Sequence, residues 1–149
     1  MVQEIIPYVD RVFPTIRDRV GGFIGGVSSG GYTALSIGLR HPELFSKIGG
    51  HMPAIDLSFD AEDECYFADQ SMWLKYDPVT IAETVSRTDI EVFLDDGKDD
   101  EGQFYRACEK LFLILKQKGF DVQKHLLEGH HNGAYIVSNL KTYLRFYGG

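Results

Sequence analysis

The sequence predicts an α/β fold, a four-stranded parallel sheet with helices on both faces. Short β-rich apolar runs alternate along the chain with longer segments of helical spacing. Strands joined through helical crossovers pair in parallel, and right-handed connections leave few topologies. A length of 149 residues, 44% of them apolar and 25% charged, suits a single domain over 1–149 that buries its own core. There is no internal repeat and no low-complexity linker.

Ile5, Val9, Val12, Phe13 and Ile16 recur three and four apart, which predicts an amphipathic helix from residue 3 to about 13. GGFIGGV, at 21–27, is glycine-rich yet carries Phe23, Ile24 and Val27, as a buried strand does where backbones approach closely. A turn on Ser28 and Ser29 leads into GGYTALSIGL, which ends at Arg40-His41-Pro42, where proline disfavours further helix. SKIGGH, at 46–51, reads as a second strand. Residues 52–76 lack periodicity and concentrate acids and aromatics, which marks an irregular, cap-like insertion. Helical spacing returns over 78–85, a β-rich run covers 90–94 before DDGKDDEG, and a long amphipathic helix over 104–118 is closed by Gly119. A fourth strand over 122–127 and an aromatic-rich helix over 134–147 complete the chain.

The net charge is −7, and the 15 Lys and Arg are scattered. No basic stripe exists to neutralise a phosphate backbone, so nucleic acid is not an expected partner. The longest apolar run, Leu111 to Leu115, has five residues, against the roughly 20 that span a bilayer, so no membrane association is expected. The start, MVQEIIPYVD, lacks a basic flank and a signal-like core, and the expected location is cytoplasmic. Cys65 and Cys108 form no C-x-x-C pair. Cys108 lies four residues from both Phe104 and Phe112 on an apolar helix face and reads as core.

Ligand sites in parallel sheets lie beyond the carboxyl ends of the strands. Ser28, His51, the run Asp96 to Asp100 and the run Gly129 to His131 all follow predicted strands. Gly26-Val27-Ser28-Ser29-Gly30 fits G-x-S-x-G, in which a tight strand-to-helix turn presents a serine hydroxyl. That hydroxyl needs a base to take its proton and a carboxylate to orient the base. Asp95-Asp96-Gly97-Lys98-Asp99-Asp100 and Glu128-Gly129-His130-His131 supply both, in the order Ser, Asp, His that typifies α/β-hydrolases.

FIGGVSSGGYTALSIGLRHPELFSKIGG resembles the elbow region of the esterase D-like esterases, a group that includes S-formylglutathione hydrolases, enterochelin esterases and family 1 carbohydrate esterases. VFLDDGKDDE resembles that family's strand followed by G-x-x-D, and LLEGHHNGAYIVSNL its G-G-H-x-W-x-x-W-x-x-x-L ending. The resemblance covers nearly the whole chain apart from 52–76 and implies a partial α/β-hydrolase fold, its C-terminal half. It places the nucleophile on Ser28, the acid on Asp100, the base on His131 and one oxyanion donor on the Ser29 N–H. The implied activity is hydrolysis of a carboxylic ester or thioester without cofactor or metal. Family members carry a further half-domain before the elbow, which provides the second oxyanion donor. The elbow strand is therefore expected to be an exposed edge that pairs with a second copy or with a separate N-terminal segment. A truncated, catalytically impaired protein serving binding or assembly is the alternative.

Other readings of the same residues stand beside these. Ser28 also suits a helix N-cap. Asp99 is a rival acid and His130 a rival base, because the family's G-G-H is here Gly129-His130-His131. The acids from Asp95 to Glu101 read mostly as a solvated loop, without EF-hand spacing. Adjacent histidines do not converge on one ion, so no metal site is expected. His51, Trp73 and His130 are candidate substrate contacts, with structural roles open for each; Trp73, with Tyr66, Phe67 and Met72, belongs either to a substrate-binding cap or to the core.

Overall fold

The structure, a computed structural model, describes residues 1–148. Strands β1 (Phe23–Val27), β2 (Lys47–His51), β3 (Glu91–Gly97) and β4 (Asp121–Leu127) form one parallel sheet in the order β1-β2-β3-β4. The helices are α1 (Ile5–Val12), α2 (Ser29–Arg40), α3 (Gln70–Tyr76), α4 (Pro78–Thr84), α5 (Tyr105–Gln117) and α6 (Gly133–Gly148). Because spatial order follows chain order, crossovers of one hand all pass over the same face of the sheet. There α2, α4 and α5 pack together, while α6 covers the opposite face. The predicted layer with helices on both faces is what the chain forms.

Alternation along each strand then decides which side chains meet which helices. Even-numbered Ile48, Val92, Leu94 and Val122 join Leu35, Leu39, Leu111 and Leu115 in the main core. Odd-numbered Phe93 faces Tyr143 and Phe146 of α6 in a smaller one. Cys108 is buried in the main core, and Cys65 is exposed.

β1 is an open edge. Phe23 and Val27 are 42% and 40% exposed, although both belong to the strand that ends in the G-x-S-x-G turn. Helix α1 buries no residue, and its apolar Ile5 and Val12 are more than half exposed. The chain thus leaves uncovered both an apolar stripe of helix and an unpaired strand edge.

Two expectations are corrected. The segment expected to be irregular contains α3, started by Asp69, whose carboxylate accepts the Met72 N–H at 2.8 Å. The third strand, expected to stop at Leu94, runs on through Asp95 and Asp96 to Gly97, paired with β4 throughout. Asp95 and Asp96 are fully buried and are not part of a solvated loop. They point to opposite faces, Asp95 toward α6 and Asp96 toward Cys108 of α5.

Neither oxygen of Asp96 has a full hydrogen bond, the Cys108 thiol being its weak neighbour. Burial is the main cause that pushes its carboxyl up from 3.8 to about 7. Folding thus favours the protonated acid, and the stability this contributes is present below about pH 4 and lost as pH rises through about 7. Asp96→Asn should therefore be more stable than the parent at pH 8, by on the order of 4 kcal/mol, with the gap narrowing to about 1 kcal/mol near pH 4.5. Urea unfolding of both proteins at the two pH values measures the difference; a gap that does not change with pH would contradict a buried, titrating Asp96.

Candidate active site

At the carboxyl end of β1 the chain turns directly into α2. Ser28 sits at the junction with φ 56° and ψ −122°, a conformation that non-glycine residues rarely adopt and that costs about 1–3 kcal/mol. The turn is held through main-chain bonds. The Ser28 N–H donates to the His51 carbonyl at 3.0 Å, and the Ser28 carbonyl accepts from Tyr32 at 3.0 Å and Ala54 at 3.1 Å. Gly26 is needed here, since a Cβ on it would lie 2.3 Å from the Gly30 oxygen. Gly30 itself has open space around it, so only the first glycine of the motif is demanded by packing.

Ser28 occupies the N-cap position of α2 but makes no side-chain cap. Its hydroxyl instead lies 2.8 Å from His131 Nε2. His131 Nδ1 is 3.1 Å from Asp100 Oδ2. A carboxylate only accepts, so Nδ1–H donates to Asp100, and Nε2 of the neutral ring accepts the Ser28 proton. Asp100 is 4% exposed, and its Oδ1 accepts the Gly102 N–H at 2.9 Å, which fixes the carboxylate plane. Phe104 packs edge-on against the imidazole, with ring centroids 5.5 Å apart. Ser28, Asp100 and His131 therefore converge from the ends of β1, β3 and β4. Ser29 opens α2, where the first amides have no helical acceptor and the dipole favours negative charge.

The other named residues go elsewhere. Asp99 is exposed, and its N–H donates to the Gly129 carbonyl. His130 is exposed and pairs with Glu101 at 2.8 Å; that hydrogen bond and charge raise its imidazole pKa. It is not among the residues that line the cavity beside Ser28. His51 cannot reach a substrate: its side chain is 6% exposed and turns under the sheet toward α6, because its odd strand position faces that side. Trp73 is 5% exposed and packs against Phe59, yet its inner surface lines the cavity, so it is both core and wall.

That cavity has a volume of about 850 Å³ and opens beside Ser28 and Ser29. Tyr32, Phe67, Trp73 and Tyr76 give it aromatic walls, and Arg40 and Asp56 also line it. The Arg40 guanidinium stacks on Tyr76 at 4.8 Å. Burial, followed by repulsion from Asp63, Asp60 and Glu62, raises the Asp56 carboxyl to about 6. The Tyr32 hydroxyl is buried without a partner. Of these wall residues the sequence had singled out Phe67 and Trp73; nothing in it marked Tyr32, Arg40 or Asp56 as lining a cavity. Among the described residues no group of three His, Cys, Asp or Glu side chains could hold a metal ion, and no helix is long and apolar enough to cross a membrane.

The chain is similar to S-formylglutathione hydrolase of Rattus norvegicus, 26% identical over 95% of this chain and 52% of that protein. It is 28% identical to an acetyl esterase of Caldicellulosiruptor saccharolyticus, over 87% of this chain and 55% of that protein. It thus spans about half the length of the curated relatives it matches. The structure of an S-formylglutathione hydrolase (FrmB) from Staphylococcus aureus superposes with a TM-score of 0.81 at 21% identity, covering 99% of this chain and 62% of that one. The fold is accordingly a partial α/β-hydrolase fold. The family model described as "Putative esterase" matches residues 1–146, and the chain belongs to that family.

Proposed function

We propose that the chain carries a serine carboxylic-ester hydrolase site that works through an acyl-enzyme, with Ser28 as nucleophile, His131 as base and Asp100 as its orienting acid. The observation that carries this reading is the unbroken contact from Ser28 Oγ to His131 Nε2, 2.8 Å, and from His131 Nδ1 to Asp100, 3.1 Å. Ser28 Oγ attacks the carbonyl carbon while its proton passes to His131 Nε2, and Asp100 stabilises the imidazolium. The tetrahedral oxyanion accepts the Ser29 N–H at the start of α2. Collapse expels the alcohol or thiol, which takes the proton back from His131; water then repeats the sequence and frees the acid.

The substrate class is a carboxylic ester or thioester, and the aromatic-walled cavity beside Ser28 is the natural place for its larger group. Action in the cytoplasm belongs to the same reading, since the exposed, unpaired Cys65 suits a reducing compartment. A fluorophosphonate probe, with the labelled peptide identified by mass spectrometry, tests the nucleophile. Modification of Ser28 is expected, and a protein left unmodified would leave the site without its chemistry.

A second reading is favoured by the uncovered β1 edge: a hydrolase layer kept for assembly. The two meet in one further proposal, that β1 pairs with a second copy or with a separate N-terminal segment. Such a partner would cover Phe23 and Val27 and supply the second oxyanion N–H.

A further inference from the structure

Beneath the Ser28 turn, on the face covered by α6, lies a second chain of hydrogen bonds of the same type as the first. His51 ends β2 and pairs in register with Val27 of β1 and with Asp95 of β3. Its Nδ1 is 2.9 Å from Asp95 Oδ1, and its Nε2 is 3.0 Å from the Tyr147 hydroxyl. The other Asp95 oxygen accepts the Tyr143 hydroxyl at 2.7 Å. The His51 ring also packs on Tyr143 with centroids 3.9 Å apart. Since Asp95 accepts from His51 Nδ1–H, Nε2 of the neutral ring accepts from Tyr147. The order is hydroxyl, imidazole, carboxylate, with Asp95 fully buried and His51 nearly so.

Backbone composition around this relay is fitted to it. Gly25 and Gly49 are paired across β1 and β2, and a Cβ on either would lie 1.8 or 1.9 Å from the Tyr147 oxygen. The phenol can reach His51 only because both strands lack a side chain there. Burial, with Asp95 adding to it, raises the Tyr147 hydroxyl to about 12, so it remains a donor at neutral pH.

The relay also joins the elements that carry the candidate triad. The His51 carbonyl holds the Ser28 N–H at 3.0 Å, β3 runs from Asp95 toward Asp100, and α6, which brings Tyr143 and Tyr147, starts just after His131. We propose that Tyr147, His51 and Asp95 form a buried positioning relay that fixes the Ser28 turn through the His51 main chain, rather than a substrate contact. The consequence for turnover rests on the esterase reading; the consequence for the turn itself does not.

Tyr147→Phe removes one oxygen and leaves the ring, so the fold should survive. Two measurements separate the possibilities. Hydrogen exchange by NMR should show the Ser28 amide exchanging about tenfold faster, the size expected for one lost buried hydrogen bond, while the Leu94 amide in the core keeps its protection. The maximal rate of fluorophosphonate labelling should fall by a similar factor, with the half-saturating probe concentration unchanged. His51→Gln serves as a second variant, expected to move the same two readouts in the same direction. An unchanged Ser28 amide in both variants, or a uniform loss of protection across the core, overturns the relay. Faster Ser28 exchange in the variants, when the parent protein is never labelled by the probe, would support the relay and overturn the esterase reading instead.

Discussion

His131→Ala should lower kcat for p-nitrophenyl acetate by up to about 10⁶-fold, because among the described residues no other side chain hydrogen-bonds the Ser28 hydroxyl to take its proton. Asp100→Asn should cost about 10⁴-fold. An amide at that position can donate to Nδ1 and so favours the tautomer whose Nε2 carries a proton and cannot accept the one on Ser28. The rival residues provide the internal controls. Asp99→Asn and His130→Ala alter exposed side chains, one of them paired only with Glu101, and should leave turnover near the parent value. Steady-state rates of the four variants decide the matter: a large loss in Asp99→Asn with little in Asp100→Asn would reassign the acid, and a large loss in His130→Ala with little in His131→Ala would reassign the base.

Completion of the β1 edge is the second large effect. One oxyanion donor is typically worth about 10²- to 10³-fold in turnover, and this chain offers the Ser29 N–H. Turnover per chain should therefore rise steeply with protein concentration if a second copy completes the site, with association visible by sedimentation over the same range. Phe23→Lys, which places a charge on the uncovered strand, should abolish both together. If the chain sediments as a monomer at every concentration, self-pairing is excluded, and addition of an N-terminal segment in trans becomes the route to the same gain.

Much of this was legible in the sequence for identifiable reasons. Strand β1 and its turn could be read because glycine, valine and serine stand in an order that a tight strand-to-helix junction requires, and Asp100 and His131 follow two later strands at the same sheet edge. What could not be read depended on side-chain direction and tertiary context. His51 was placed at the correct strand end, but strand alternation sends its ring to the far face, and only pairing with Asp95 and Tyr147 makes that face habitable for an imidazole. The β3 extension was hidden because two adjacent aspartates look like a solvated loop until the Tyr143 hydroxyl satisfies one, Asp95, and burial against α5 raises the carboxyl of the other, Asp96. Helix α3 has a short span and an aspartate cap that resembles its acidic neighbours, so neither periodicity nor composition set it apart.

The strand order has a bearing on how the molecule is made. Strands β2, β3 and β4 each pair with the strand synthesised immediately before, so every βαβ unit can close as it leaves the ribosome, without waiting for a distant partner. The exception is α6, which follows all four strands and carries Tyr143 and Tyr147 near its end. Synthesis would therefore deliver a paired sheet before the relay can form and tighten the serine turn only once Tyr147 has emerged, so that a nascent chain cut short before that residue should be folded yet slack at the one place where alignment matters.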